Sequence, residues 1–119
     1  MPYVDGFVVV VPKKNVKSYI AMAKKSAAIF LEHGAIEFRE CVGEDLALKM
    51  GRAFPEMTGA KRGDTVFFSW ITYKSRAQRD RVNAKIMKDE RMLAICGEEG
   101  MPFDIAKMAY GGFEVAVQA

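Results

Sequence analysis

Apolar residues are densest near the start of the chain. Tyr3 to Val11 is rich in Val, Phe and Tyr and stops at Pro12, which predicts a first strand. From Val16 the pattern changes. Val16, Tyr19, Ile20, Ala23, Ala27, Phe30 and Leu31 recur with the spacing of three and four that places them on one helical stripe, so a helix is predicted to about Glu32. Asn15 is placed to cap that helix through its side-chain oxygen, and Gly34 to end it in the left-handed conformation. Ala35 to Val42 forms the second strand, with Ile36 and Phe38 alternating against Glu37 and Arg39. Gly43 to Gly63 holds Gly51, Pro55 and Gly59 and reads as a long loop or an irregular hairpin connection. Thr65 to Tyr73 is the third strand, carrying Val66, Phe67, Phe68, Trp70 and Ile71. Ser75-Arg76-Ala77-Gln78 has the form of a capping box and opens a second helix to about Lys88. Asp89 is placed to cap a short further turn, Arg91 to Cys96. A loop with Gly97, Gly100 and Pro102 then leads to a last strand, Met108 to Val117.

The order β-α-β-β-α-β is that of the split βαβ, ferredoxin-like fold of the α+β class. Right-handed crossovers place both helices on one face of a four-stranded antiparallel sheet. The 119 residues suit a single domain, 1–119. The strands, however, are apolar on both faces. Phe7, Val9 and Val11 oppose Val8 and Val10, and Phe67 and Ile71 oppose Phe68 and Trp70. Two helices cover one face only, and a bare apolar face is costly in water. A second copy of the sheet across a two-fold axis is the expected cover. The alternative is that the 43–63 segment folds over that face.

Composition supports a globular chain, with 50% hydrophobic and 28% charged residues. The opening Met-Pro-Tyr-Val-Asp-Gly has no basic region, and the apolar run Phe7 to Val11 is too short for a signal core or a membrane span, which points to a cytoplasmic protein without membrane contact. Cys41 and Cys96 form no CxxC and read as free, core-filling thiols. Net charge is +3, and the segment 74–91 alone carries seven basic and three acidic residues. Local charge of this size is the only feature that points to nucleic acid.

The stretches Tyr3-Val4-Asp5-Gly6-Phe7, Glu40-Cys41-Val42-Gly43, Phe68-Ser69-Trp70-Ile71, Val82-Asn83-Ala84-Lys85, Met101-Pro102-Phe103-Asp104 and Tyr110-Gly111-Gly112-Phe113-Glu114-Val115 resemble the YbaA-like family of bacterial proteins over nearly the whole chain. The resemblance implies membership of the dimeric α/β-barrel superfamily, in which two ferredoxin-like sheets pack face to face, and hence a homodimer. It brings no established activity and no catalytic residues. Some superfamily relatives are cofactor-independent monooxygenases, haem-degrading enzymes or muconolactone-type isomerases, and others bind ligands. This is likeness of fold, which does not fix function.

The chain has no P-loop, GxGxxG, HExxH or GxSxG motif. With one histidine and two distant cysteines, no metal-ligand spacing is present, and neither metal nor cofactor is expected. Six residues carry candidate chemistry. Arg79 and Asn83 are four apart on one helix face, beside Val82 and Ile86, where they can receive a carboxylate or carbonyl, or else belong to a solvated basic face with Arg79 paired to Asp80 or another surface acid. Trp70 and Tyr110 lie on strands and can line an aromatic pocket, or serve as core and interface packing. His33 ends the first helix, as a C-terminal cap or as a base at a pocket rim. Glu40 shares the register of Ile36 and Phe38, so a buried carboxyl with a shifted pKa is expected there if the strand end is covered. The reading is a homodimer that binds a small, partly apolar molecule in a pocket between sheet and helices. The alternatives are a monooxygenase- or isomerase-type enzyme, and an RNA-binding protein using the basic helix 74–91.

Overall fold

The computed structural model describes residues 1–97 and 100–119. Its elements, in chain order, are β1 (Tyr3–Pro12), α1 (Val16–Glu32), β2 (Glu37–Val42), α2 (Phe54–Thr58), β3 (Asp64–Tyr73), α3 (Arg76–Lys88), α4 (Glu90–Gly97) and β4 (Ala109–Glu114). The strands form one antiparallel sheet in the order β2-β3-β1-β4. Register sets the two faces. Asp5 lies opposite Ile71 and Val9 opposite Phe67, while Gly6 lies opposite Trp70 and Val8 opposite Phe68. The first set faces the helices and the second faces away from them.

The helix-side core has two clusters. One gathers Ile29, Ala35, Ile71, Tyr73, Val82, Ile86 and Met92; the other gathers Val9, Val11, Tyr19 and Phe67. Phe7 packs against both and joins them. The buried side of α1 is Tyr19, Ala23, Ser26 and Ile29, whereas Ile20 and Leu31 are exposed. The stripe expected from sequence is therefore rotated: Ser26 and Ile29 are buried in place of Ile20 and Leu31. Ser26 is tolerated because its hydroxyl donates to the Met22 carbonyl at 3.0 Å.

Local signals fared unevenly. Ser75 accepts from the Gln78 N–H at 3.1 Å, as a cap should. Gln78 reaches back to the Lys74 N–H, one residue before the cap, and also donates to the Gly34 carbonyl. Asp89 accepts from the Arg91 N–H at 2.9 Å and opens α4. Asn15 makes no cap: its side-chain N–H₂ donates to the Pro102 carbonyl at 3.2 Å, tying the start of α1 to the distant loop before β4. Both cysteines are exposed and fill no core, because Cys41 lies on the outward face of edge strand β2 and Cys96 at the end of α4. The 43–63 segment contains α2, too short to show a periodicity, with Pro55 in its first turn and Gly59 at φ +75° closing it.

That segment also settles part of the cover question. Val10 and Val66 lie on the outward face and are nonetheless buried, because α2 packs against β1 and β3 at that end and Phe54 stands 6.1 Å from Phe68. The other end of the face is bare. Phe68 is 48% and Phe113 62% exposed there, along an open apolar groove of about 660 Å³ with Val4, Val8 and Trp70.

Candidate functional site

Between the sheet and the helices lies a second, smaller cavity of about 240 Å³. Its wall combines Phe7 and Val9 from β1, Met22 and Phe30 from α1, Phe38 from β2 and Met92 from α4, with Met101, Phe103 and Met108 closing it before β4. Methionines suit such a wall, being unbranched and able to follow an irregular outline. The polar exceptions cluster. Tyr19 from α1 donates its hydroxyl to Glu40 Oε1 at 2.9 Å, and Ser69 of β3, the partner of Glu40 across the sheet, stands beside the same carboxyl.

The Glu40 carboxyl is there because strand alternation turns it to the helix side with Phe38. Burial raises its pKa above the ordinary glutamate value, and the hydrogen bonds from Tyr19 and Ser69 oppose that rise. Burial, followed by the adjacent Glu40 charge, raises the Tyr19 hydroxyl in turn. Tyr19 is therefore a neutral donor, and the pair presents acceptor oxygen to an otherwise apolar space.

The remaining candidates do not join this site. Arg79 turns inward: Nη1 donates to Asp5 Oδ1 at 2.7 Å, Nε to Asp80 Oδ1 at 2.8 Å, and the guanidinium lies 4.8 Å from the Tyr3 ring centroid. Asp5 is 2% exposed and the Arg79 side chain 13%, so the pair is a buried lock between α3 and the sheet. Burial raises the Asp5 pKa, against the pull of Arg79, with Tyr110 and Asn83 close enough to help hold the charge. Tyr110 stacks on Phe7 at 4.8 Å on the helix-side register of edge strand β4 and is half exposed. Trp70 is not a core residue, and although it borders the helix-side cavity its side chain points away from it. Its ring belongs to the outward face, where Nε1 donates to Glu37 Oε1 at 2.9 Å. His33 contacts Asp89 at 2.7 Å through Nε2, bridging the end of α1 to the start of α4. Glu32, His33 and Asp89 bring three potential ligand atoms within 4.8 Å of one another, yet the Arg91 guanidinium bonds to both carboxylates and supplies the cation there. Hydrogen bonds from Arg91 and then His33 hold the Asp89 carboxyl well below the usual range.

Two groups escaped sequence reasoning. Asp5 carries the same signal as Glu40, an acid in register with the apolar, helix-facing residues of its strand, here Phe7 and Val9. Tyr19 reads as one more apolar position of a helix until Glu40 is seen beside it. The Tyr73 hydroxyl, buried near Asp5 and Arg79, has no hydrogen-bond partner among the described residues.

Sheet order and helix placement define this chain as a ferredoxin-like α+β protein. The crystal structure of a dimeric ferredoxin-like protein from an uncultured marine organism superposes on it with a TM-score of 0.58 over 100% of both chains, at 12% identity, and so shares the fold. The chain belongs to the family described as "Protein of unknown function (DUF1428)", whose model matches residues 2–105. It is 44% identical over 114 residues, 96% of each chain, to "Uncharacterized protein YbaA" of Escherichia coli K12, and equally to that of Shigella flexneri. The YbaA-like resemblance read from motifs along nearly the whole chain is thereby borne out. Among the described residues, no helix is long and apolar enough to cross a membrane.

Proposed function

We propose that this protein is a homodimeric binding protein that holds a small, largely apolar molecule between its sheet and helices. The cavity carries the reading. An apolar space of about 150 Å³ takes up benzene in water. A space of about 240 Å³ walled by phenylalanine and methionine therefore suits a compound of one or two rings. It lies below the range of about 300–1,000 Å³ typical of drug-sized ligands.

The test is calorimetric titration with naphthol, repeated on Ser26→Leu, which adds carbon to the cavity wall. Saturable binding that Ser26→Leu abolishes supports the reading; no binding, or binding indifferent to the added carbon, refutes it.

The homodimer is supported by the bare end of the outward face and by the dimeric state of the marine protein. Sedimentation of wild type and Phe68→Lys tests it. A wild-type dimer that the lysine converts to a folded monomer is expected, and a wild-type monomer refutes it. An enzyme of the acid–base type is a second reading, favoured by Glu40 alone.

A further inference from the structure

We propose that Glu40 makes the cavity selective for neutral molecules carrying a hydrogen-bond donor and excludes apolar carboxylic acids. The proposal rests on the cavity being a binding site and adds the chemical class of its ligand.

The donors of the wall are already committed. Tyr19 and Ser69 give their protons to Glu40, and Ser26 gives its own to the Met22 carbonyl. No cation faces the space among the described residues. Arg39 reaches the wall, but its side chain is exposed on the outward side of β2, where Nε donates to Glu37 at 2.8 Å. What the wall offers is acceptor capacity: the Glu40 carboxylate has about four lone-pair sites, which the bonds from Tyr19 and Ser69 do not exhaust, and the Tyr19 oxygen accepts as well.

Three ligand classes then separate. An alcohol, phenol or ring N–H donates to Glu40 while its apolar body fills the rest. A pure hydrocarbon fits but leaves Glu40 without that bond. A carboxylic acid brings a second carboxyl against Glu40 with no cation to offset it, and two such groups at close range cannot both ionise. A hydrogen bond to a charged group is worth roughly ten- to a hundredfold in affinity.

Naphthol, methylnaphthalene and naphthoate share one ring system and differ in this group, so calorimetric titration of the three near neutral pH is the experiment. Naphthol is expected to bind roughly ten- to a hundredfold tighter than methylnaphthalene, with naphthoate not binding. In Glu40→Gln, which keeps an acceptor for Tyr19, naphthoate is expected to enter and the advantage of naphthol to shrink. Equal binding of naphthol and methylnaphthalene to wild type overturns the selectivity and leaves the cavity intact as a site. So does naphthoate binding wild type as tightly as the variant. Failure of all three to bind removes the binding site itself. The wild-type comparison needs no variant, so it stands even if Glu40→Gln folds poorly.

Discussion

Removing the guanidinium of Arg79 should destabilise this protein in a pH-dependent way. Asp5 is 2% exposed and its carboxylate is bonded to Arg79 at 2.7 Å. Methionine at 79 keeps most of the apolar stem and deletes the charge. Breaking one partner from a buried pair typically costs about 3–5 kcal/mol. Asn83 and Tyr110 flank the abandoned carboxylate, which places the expected loss near the lower end, about 3 kcal/mol. Lost stacking on Tyr3 is part of that figure, about 0.5–1 kcal/mol. The sign with pH follows from linkage. Burial raises the folded pKa of Asp5 above its unfolded value, so between the two values the folded state holds a proton that the unfolded chain has lost, and stability falls as pH rises. Arg79 limits that fall by lowering the folded pKa. Without it the fall continues to higher pH. The gap between wild type and Arg79→Met should thus be widest at neutral pH and shrink in acid, toward the stacking contribution. Urea unfolding at both pH values, at one fixed protein concentration, measures it, and Asp5→Asn combined with Arg79→Met should recover part of the loss. A loss equal at both pH values, or one that simply adds to that of Asp5→Asn, would refute the buried pair as its source.

Two further variants test the packing around this lock. A Cβ on Gly112 would come within 2.9 Å of the Tyr3 ring and closer still to its hydroxyl, so Gly112→Ala should cost about 1–3 kcal/mol in urea unfolding, and a cost under about 0.5 kcal/mol would show that Tyr3 moves freely. Tyr73→Phe removes a buried hydroxyl that has no partner, so thermal unfolding should show unchanged or slightly raised stability, by up to about 1 kcal/mol, and a clear loss would reveal a bond to that hydroxyl.

The long elements were legible because their signals are local. Periodicity marked α1 and a capping box marked α3, and both helices fall on the expected ranges apart from the stripe and the start cap of α1. The stripe slipped because composition ranks Ile20 and Leu31 above Ser26, whereas position on the sheet decides what is buried. Asn15 was misread for a related reason: its partner, Pro102, lies 87 residues away, and no local rule anticipates it. The candidate site divided in the same manner. Glu40 was legible from strand parity. Arg79 was placed on the correct helix face, but its occupation by Asp5 depends on how α3 crosses the sheet, which only the assembled fold determines.

The two faces of the sheet differ in where they keep polar groups, and that difference assigns them different roles. On the helix side, polar atoms lie deep within the layer: Asp5, Ser69 and Glu40 stand among phenylalanines and valines. Buried polar groups of this kind give direction, because any partner must match them or leave them unpaired. On the outward side the centre is wholly apolar, with Val4, Val8 and Phe68 around Gly6, and Phe113 lies across Gly6 and Gly111. Its polar groups sit along the β2 edge, where Glu37 accepts from Arg39, Trp70 and Thr72. An apolar centre with a polar rim is the anatomy of a protein interface, which needs area and shape more than directed bonds. A slip of one residue in β1 would exchange the two sets, turning Asp5 into the outward groove and Val4 and Val8 toward the helices. The registers therefore serve both proposals: that of β1 keeps the proposed dimer face free of buried charge, and that of β2 on β3 keeps the acceptor oxygens of Glu40 inside the cavity.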